Sequence, residues 1–297
     1  MPVLLLVALV VVLARGFVAY RSIERVDLSA VLDPVSGDTV NYLLVGSDSR
    51  EGLDPTLDIG GTGSVTGKRS DTIIVLRVGP DGSVMMSIPR DLWVTDARTG
   101  RQGRINGAYN AGPANLVATV KANLHVPVNH YMEVGFASFV GMVDALGGIV
   151  IDFPHAAFDT HSGLYVDTAG PARLDGRQAL AYARSRHFTE KVDGRQVEDP
   201  TGDLGRQQRQ QTFLRTALGE VGRSRNPVAL LGVTESLSSG LVIDDSTGLF
   251  DLIGLARKLS GTQPTTVVLP TKPARKNGAA VLLLAQPGAD AALAGFR

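Results

Sequence analysis

The sequence predicts an α/β fold: a single α/β/α layered domain with a central mixed β-sheet flanked by helices, preceded by an N-terminal membrane anchor helix. Short apolar runs of strand length lie between turn residues, as at residues 40–46 and 72–78. Segments with helical apolar spacing alternate with further strands from Pro113 onwards. An uninterrupted apolar run at residues 3–14 opens the chain and predicts the anchor.

The first strands follow one another quickly. Residues 40–46, 72–78 and 83–88 are predicted strands, and residues 79–82 (Gly-Pro-Asp-Gly) supply a hairpin turn between the last two. A loop at residues 51–68, rich in Gly and Thr, connects the first two strands. Loops of this length inside a compact domain are usually functional or mobile.

The middle of the chain alternates helices and strands. Pro113 begins a helix, and a strand at residues 128–134, a helix at residues 135–146 and a strand at residues 149–153 follow it. This strand–helix–strand order predicts a right-handed crossover within the sheet.

Two aspartates are predicted to cap helices in the second half. Asp175 precedes a helix that ends just before Arg184 and Arg186, and Asp203 precedes a helix over residues 204–222. The last predicted elements are helices at residues 227–237 and 247–259 and strands at residues 265–269 and 279–285.

The composition excludes several classes of function. Lys plus Arg and Asp plus Glu both total 29, so no net charge draws the protein to nucleic acid. The chain has no cysteine, which excludes disulfides, thiolate metal sites and a cysteine nucleophile. A P-loop is excluded because Lys68 is followed by Arg69 instead of a hydroxyl residue. The five histidines are scattered, which argues against a zinc enzyme.

The N-terminal apolar run predicts a single-pass anchor in the cell membrane at residues 1–21, with a connector at residues 22–39 and the catalytic domain at residues 40–297. We expect the catalytic domain to be extracytoplasmic. No basic segment precedes the run, which indicates a misplaced or truncated start and leaves the orientation weakly specified. A buried core helix is the alternative interpretation.

A displaced Ser-Asp block at residues 46–49 resembles the nucleophile block of small SGNH-type esterases, with Asp152 and His155 as their Asp-x-x-His pair. The order of Ser and Asp is wrong for those enzymes, and His155 lies in mid-chain. An esterase is therefore a poor match.

Two aspartates stand at predicted strand ends. Asp48 follows the strand at residues 40–46, and Asp71 precedes the strand at residues 72–78. Ligands gather at such positions in open α/β sheets when the strand ends coincide. Two hard oxygen ligands, with room for water and phosphate, suit Mg²⁺. A strand-end turn or a helix cap is the alternative role for each aspartate.

Arginines cluster at predicted element ends and loop mouths, where their planar guanidinium groups suit phosphate oxygens. Scattered surface arginines are the alternative interpretation. The arginines in question are Arg50, Arg69, Arg90, Arg184, Arg186, Arg206 and Arg209.

Seven sequence blocks, in order, resemble the LytR-CpsA-Psr family, and the resemblance covers residues 40–218. The blocks are GSDSR at residues 46–50, RSDT at residues 69–72, SIPRD at residues 87–91, RINGAY at residues 104–109, VDALGG at residues 143–148, LDGRQALAYARSR at residues 174–186 and DLGRQQRQ at residues 203–210.

The resemblance implies a membrane-anchored phosphotransferase that moves a glycopolymer from a polyprenyl-pyrophosphate carrier to peptidoglycan. It implies that Asp48 and Asp71 bind Mg²⁺ or Mn²⁺ and act in catalysis with Arg69, Arg90, Arg184 and Arg186. The implied pyrophosphate-binding residues are Arg69, Arg90, Arg184, Arg186, Arg206 and Gln210. The implied lining of an apolar channel for the polyprenyl chain is Phe136, Phe139, Val140 and Val143.

Several questions stay open at this point. A lipid-binding or scaffold protein without turnover, or a pyrophosphatase acting on the same lipids, would carry similar residues. Arabinogalactan, teichoic acid and capsule are all possible glycopolymers. No histidine is placed as a general base, and the identity of the base stays open, with Asp91 and Asp203 as candidates. The insert at residues 187–202 is longer than the family pattern predicts, and it would contact the acceptor or be disordered.

Overall fold

The computed structural model describes two compact units of the chain. The described residues are 14–47, 70–224, 226–238, 240–261 and 264–297. Within them, the first unit comprises residues 14–24 and 135–241, and the second unit comprises residues 25–47, 70–134 and 242–297.

A seven-stranded mixed sheet forms the centre of the second unit. In spatial order its strands are β1 (Glu24–Val26), β14 (Leu241–Asp244), β7 (His130–Val134), β2 (Val40–Ser47), β3 (Ser70–Gly79), β4 (Gly82–Ser87) and β15 (Thr265–Val268). Strands β2 and β7 are parallel, β3 is antiparallel to β2 and β4, and β15 is parallel to β4. The carboxyl ends of β2, β4 and β7 therefore lie along the same edge of the sheet.

Apolar residues on both faces explain why this sheet is central. Ile73 and Val75 point to one face of β3 and Ile74 and Leu76 to the other, and all four are buried. The remaining elements of this unit are α2 (Ile105–Ala108), a 3-10 turn (Tyr109–Ala111), α3 (Pro113–Leu124), α8 (Leu249–Gly261), α9 (Gly288–Ala294), β5 (Trp93–Thr95), β6 (Gln102–Arg104), β16 (Thr271–Lys276) and β17 (Ala279–Leu284).

The first unit combines helices with two small sheets. Its helices are α1 (residues 14–22), α4 (Phe136–Ala145), α5 (Gly176–Arg184), α6 (Asp203–Arg223) and α7 (Pro227–Ser238). Strands β8 (Ile149–Phe153) and β11 (Gly170–Leu174) pair antiparallel. The second sheet has the order β10 (Leu164–Val166), β9 (Ala156–Asp159), β12 (Thr189–Val192) and β13 (Arg195–Glu198).

A close helix crossing fixes α4 against α5. A Cβ atom at Gly176 would lie 2.4 Å from the carbonyl oxygen of Val140, which is closer than real Cβ contacts come. Glycine is therefore required at the first residue of α5. Val143 and Phe213 belong to the hydrophobic core that the helices of this unit share with β8.

The structure confirms the predicted α/β class, with a central mixed sheet flanked by helices. The predicted crossover from residues 128–134 to residues 149–153 is wrong, because β8 pairs with β11 and not with the large sheet. Its buried and exposed residues alternate, as expected for an antiparallel strand with one solvated face. Gly147 and Gly148, both with positive φ, precede β8 at the end of α4.

Two further predictions are settled by the helix and strand boundaries. Helix α6 begins at Asp203 itself, so Asp203 is not the cap residue; Gly202, at φ 53°, precedes the helix. The insert at residues 187–202 contains the β12–β13 hairpin and is not disordered.

The predicted anchor at residues 1–21 lies mostly outside the described residues, as does the loop at residues 51–68. None of the helices in the described part of the chain combines the length and the hydropathy that a bilayer crossing requires.

Candidate functional site

The end of α5 presents two of the predicted phosphate-binding arginines in the first unit. Asp175 caps the start of this helix, its Oδ1 accepting a hydrogen bond from the Gln178 N–H at 2.8 Å, as predicted. Helix α5 ends at Arg184, and the backbone at Ser185 leaves the helical conformation with ψ 125°. Residues 184–187 form what we call the arginine loop.

The carboxylate of Asp159, at the end of β9, holds the arginine loop from one side. Its Oδ2 accepts hydrogen bonds from the Ser185 hydroxyl at 2.6 Å and from the backbone N–H groups of Arg186 and His187, both at 3.1 Å. Asp159 is only 1% exposed. The loop backbone is thus tied to a buried anion and not to solvent.

The same carboxylate also organises the turn between β9 and β10. Its Oδ1 accepts hydrogen bonds from the N–H groups of His161 at 2.8 Å and Ser162 at 3.2 Å. Burial alone would raise the pKa of Asp159, but the hydrogen bonds from Ser185, His187, His161 and Ser162 outweigh it and lower the pKa. Asp159 is therefore ionised at neutral pH.

Arg209, on α6, holds the arginine loop from the other side. Its Nη2 donates to the Ser185 carbonyl at 2.9 Å, and its Nη1 donates to Asp199 Oδ2 at 2.8 Å. The guanidinium also lies 4.7 Å from the ring centroid of Phe188. Arg209 therefore links the loop to the segment that follows the β12–β13 hairpin, and its described contacts are internal.

Helix α6 places two more predicted binding residues next to the end of α5. Arg206 and Gln210 are one turn apart on α6, and both are buried. Gln210 Nε2 donates to the Ala183 carbonyl at 3.2 Å. The Arg184 guanidinium lies 5.0 Å from the ring centroid of Phe136 on α4. The first unit thus brings together, where α6 packs against the end of α5, the predicted binding residues Arg184, Arg186, Arg206 and Gln210.

The predicted channel residues all lie on α4. Val143 is fully buried in the core of the first unit, and Phe139 stacks on Phe213 with ring centroids 4.2 Å apart. Phe136 contacts Arg184, and the carbonyl of Val140 faces Gly176. These contacts show how α4 packs, and the channel itself stays a prediction.

In the second unit, the edge at the ends of β2, β4 and β7 carries a buried polar network. The Tyr131 hydroxyl donates to Glu133 Oε2 at 2.8 Å. Tyr109 is hydrogen-bonded to Glu133, Ser47 and Tyr131. Burial, followed by the hydrogen bond and charge of Glu133, raises the pKa of Tyr109. Burial, followed by the charges of Glu133 and Tyr109, likewise raises the pKa of Tyr131.

The β2–β3 ladder brings the two chain segments of the predicted metal site together. Gly46 pairs with Thr72 and Ser47 pairs with Ser70, with a register shift between Gly46 and Ser47. Asp71 is consequently the extra residue of a β-bulge, a feature common beside active sites. Asp48 comes directly after Ser47 in sequence but, like Arg69, lies outside the described residues, as does the side chain of Asp71.

Arg90 lies beyond β4 in the second unit, with Asp91 next to it. Arg104 Nε lies 3.2 Å from Asp91 Oδ1, and Arg90 Nε lies 3.6 Å from Asp91 Oδ2. The Asn106 N–H donates to the Arg90 carbonyl at 3.2 Å. Asp91, a predicted candidate for general base, is thus flanked by two arginines.

The arginines of the first unit have the chemistry of an anion-binding site. The polar network of the second unit places the carboxyl group of Glu133 at the edge of the large sheet. Rigidly held guanidinium groups bind phosphate oxygens well. Among the residues that the structure describes, no group of three or more acidic or histidine side chains is arranged to hold a metal ion.

Sequence reasoning missed Asp159, Tyr131 and Glu133. A signal for Glu133 existed, because a carboxylate in an otherwise apolar central strand needs a buried partner. Asp159 had no such signal. Its role depends on contacts with residues more than twenty positions away.

Comparisons with known proteins agree on one family. A model of the LytR_cpsA_psr family matches residues 10–293. A polyisoprenyl-teichoic acid–peptidoglycan teichoic acid transferase TagU of Enterococcus faecalis is 35% identical, and the match covers 64% of this chain and 60% of TagU. A probable cell wall biosynthesis protein LcpB of Corynebacterium glutamicum is 30% identical over 99% of this chain and 69% of that protein.

The match to the cell wall biosynthesis protein LcpA of Corynebacterium glutamicum covers 49% of that protein. The chain thus spans about half to two thirds of the length of these relatives. Among solved structures, a LytR-Csp2A-Psr enzyme from Actinomyces oris is 28% identical with a TM-score of 0.73, covering 92% of this chain and 95% of that one. Bacillus subtilis TagV shares the fold, at 23% identity and a TM-score of 0.67, with 88% and 97% covered.

Proposed function

The chain belongs to the LytR_cpsA_psr family, and from that premise we propose that it transfers a glycopolymer from a polyprenyl-pyrophosphate carrier to peptidoglycan. A similar protein carries the name of a teichoic acid transferase that uses a polyisoprenyl-linked donor and peptidoglycan. The observation that carries the proposal is the arginine loop, whose backbone is held on both sides by buried charged groups.

In the proposed reaction, a hydroxyl of a peptidoglycan sugar attacks the phosphorus next to the glycan. A new P–O bond forms, the bond from that phosphorus to the bridging oxygen breaks, and polyprenyl phosphate leaves. The hydroxyl proton passes to solvent or to the departing phosphate. Such transfers depend mainly on positioning and on neutralising phosphate charge.

Arg184 and Arg186 would hold the pyrophosphate, together with Arg206 and Gln210 from α6. The internal bonds of Asp159 and Arg209 support this assignment, because a loop fixed before the substrate binds loses little entropy on binding. We assign Arg69 and Arg90 the same task. A guanidinium cannot lose its proton at neutral pH, so these residues supply constant positive charge.

We further propose that Asp48 and Asp71 hold Mg²⁺ or Mn²⁺, which when bound would neutralise charge on the pyrophosphate oxygens. The bulge in the β2–β3 ladder supports this, because it brings the backbone of Asp71 beside the end of β2, one residue before Asp48. Carboxylates at such an edge suit a hard cation that keeps several water ligands.

The proposed acceptor lies outside the cytoplasm, so we propose that both units do as well, with residues 1–21 anchoring the chain in the cell membrane. The glycopolymer is proposed as a class only: a polysaccharide or teichoic acid linked through pyrophosphate to a polyprenyl lipid.

The test is a transfer assay with a defined lipid-linked donor and undecorated peptidoglycan, with mass spectrometry of the wall product. We expect glycan joined to peptidoglycan through a phosphodiester, and no transfer by Asp71→Ala. Free glycan phosphate would indicate a pyrophosphatase, and bound but unreacted lipid would indicate a binding or scaffold protein. Unchanged transfer by Asp71→Ala would contradict the metal assignment.

A further inference from the structure

One face of the four-stranded sheet in the first unit is exposed beside the arginine loop. Burial alternates along two of its strands, β9 and β10: Ala157 and Leu164 are buried, whereas Tyr165 is 60% exposed. Phe158 shares the outward side with Tyr165, because the two are cross-strand partners. We call this outward side the open face; its residues are Phe158, Tyr165, Thr189, Lys191, Gln196 and Glu198.

The open face has a regular layout. Tyr165, Phe158, Thr189 and Glu198 follow one another across the four strands as direct partners. With neighbouring strands about 4.8 Å apart, this row is about 14 Å long. Two aromatic rings occupy one end of the row, and a carboxylate occupies the other.

The aromatic end is held in place. The Tyr165 hydroxyl donates to Asp167, and that hydrogen bond is the main reason why the pKa of Tyr165 is raised. The Tyr165 N–H donates to Gln178 Oε1 at 2.9 Å, which ties β10 to helix α5. Lys191 Nζ lies 6.0 Å from the ring centroid of Phe158.

The open face is continuous with the arginine loop. His187, the last residue of that loop, contacts Glu198 through its Nδ1 at 2.8 Å. The Thr189 hydroxyl donates to the His187 carbonyl at 3.1 Å. Asp159, which fixes the loop, is the next residue after Phe158 on β9. A chain bound at the loop would therefore extend onto this face without leaving the surface of the first unit.

We propose that the open face binds the uncharged sugar residues of a glycan chain whose phosphate-bearing end lies at the arginine loop. Exposed aromatic rings pack against the apolar C–H faces of sugar rings. The amide of Gln196, the carboxylate of Glu198 and the ammonium of Lys191 supply donors and acceptors for sugar hydroxyls. The opposite charges of Lys191 and Glu198 cancel, which favours an uncharged partner over an anionic polymer.

This inference rests on the proposed function, which makes the glycan the donor glycopolymer, because in the proposed reaction only the donor chain ends in a phosphate. The experiment measures binding of two probes to the full chain by isothermal titration calorimetry. One is a soluble peptidoglycan glycan strand, and the other is a soluble glycopolymer fragment without lipid. Inorganic pyrophosphate is measured in parallel as a probe of the arginine loop.

The variants compared are Tyr165→Ala, Tyr165→Phe and Phe250→Ala. Phe250 is a matched control, because it is an aromatic residue of the second unit that is 85% exposed. Loss of one packed aromatic ring should weaken glycan binding about tenfold. We expect this for Tyr165→Ala, with near-normal binding by Tyr165→Phe and Phe250→Ala, and with pyrophosphate affinity unchanged in all three.

We expect the glycopolymer fragment to bind in a Tyr165-dependent manner, and Tyr165-dependent binding of the peptidoglycan strand alone would overturn the inference. Equal glycan affinity in the wild type and Tyr165→Ala, or binding of neither probe, would overturn the inference. The proposed function can fail independently of this inference. If pyrophosphate does not bind but the glycan still binds through Tyr165, the glycan site on the open face is supported and the proposed transfer reaction is contradicted.

Discussion

The Ser185 hydroxyl donates a 2.6 Å hydrogen bond to Asp159 Oδ2 in the interior of the first unit. Through this bond a residue of β9 sets the position of the loop between Arg184 and Arg186. Neither the aspartate nor the serine is proposed to touch the substrate. Both position the arginines, and their effects on stability and on binding can be measured separately.

Asp159→Asn keeps the size of the side chain but replaces the carboxylate with a neutral amide. The amide has one oxygen acceptor instead of the two that the carboxylate offers. Loss of the charge-assisted bonds to the loop should destabilise the fold by about 2–4 kcal/mol. Affinity for inorganic pyrophosphate should also fall, because the loop must then be ordered on binding. Chemical denaturation and calorimetric titration measure the two effects. Ser185→Ala, which removes a single bond, should cost about 1 kcal/mol.

Stability should depend on Asp159 in a particular pH range. Its hydrogen bonds lower its pKa in the folded protein, so its ionised form stabilises the fold above the unfolded-state pKa of about 3.9. That contribution is lost as the pH falls through the lowered pKa. Between pH 7 and pH 3, the wild type should thus lose stability relative to Asp159→Asn, and a constant difference would contradict this account.

Arg209 should be intolerant of lysine. Its two terminal nitrogens reach Ser185 and Asp199 at the same time, which a single ammonium group cannot reproduce. We expect both Arg209→Lys and Arg209→Met to lower kcat/KM for transfer about tenfold or more, since misplacing the loop weakens contacts in the transition state.

A control on the same helix tests whether the effect of Arg209 is specific. Arg223 makes an exposed ion pair with Glu220 one turn away, and such pairs contribute about 0–1 kcal/mol. Arg223→Lys should therefore retain wild-type kcat/KM. If Arg209→Lys also did so, the two-sided support of the arginine loop would be unnecessary for transfer.

The sequence predicted much of both units, for physical reasons that particular residues illustrate. Asp175 was identified as a cap because its bond to Gln178 is local. The same local signal located Arg184 and Arg186 at the end of α5, and their phosphate-binding role stays a prediction. The partners of β8 and the role of Asp159 depend on long-range pairing, which no local pattern encodes. Asp203 was misplaced by one residue, since the cap position depends on the backbone of Gly202.

The hydrogen bond between Tyr131 and Glu133 should contribute to the stability of the fold. Tyr131→Phe removes the hydroxyl that donates to Glu133 Oε2 and leaves a buried carboxylate with one fewer donor. We expect a loss of about 1–3 kcal/mol in the free energy of unfolding. Tyr42→Phe is a suitable comparison, because Tyr42 is another buried tyrosine of the same sheet and its ring stacks on His130. Burial, with the charges of Asp251 and Asp244, raises the pKa of Tyr42 to about 12. An equal loss in both variants would contradict a special role for the Tyr131–Glu133 bond.

Two glycine-to-alanine substitutions should have opposite effects on stability. Gly176 meets the Val140 carbonyl at the α4–α5 crossing, where a Cβ atom would come within 2.4 Å of that oxygen. Gly176→Ala must therefore push the helices apart, and a loss of about 3 kcal/mol or more is expected from such overpacking. Gly254 lies inside α8, and an alanine methyl group there would meet no neighbouring atom within 4 Å, so Gly254→Ala should stabilise by about 0.5–1 kcal/mol. Thermal unfolding of the two variants measures whether each substitution lowers or raises the stability of the fold. Gly176 is also the first residue of the helix that ends at Arg184. Only Gly176→Ala should therefore weaken pyrophosphate binding as well.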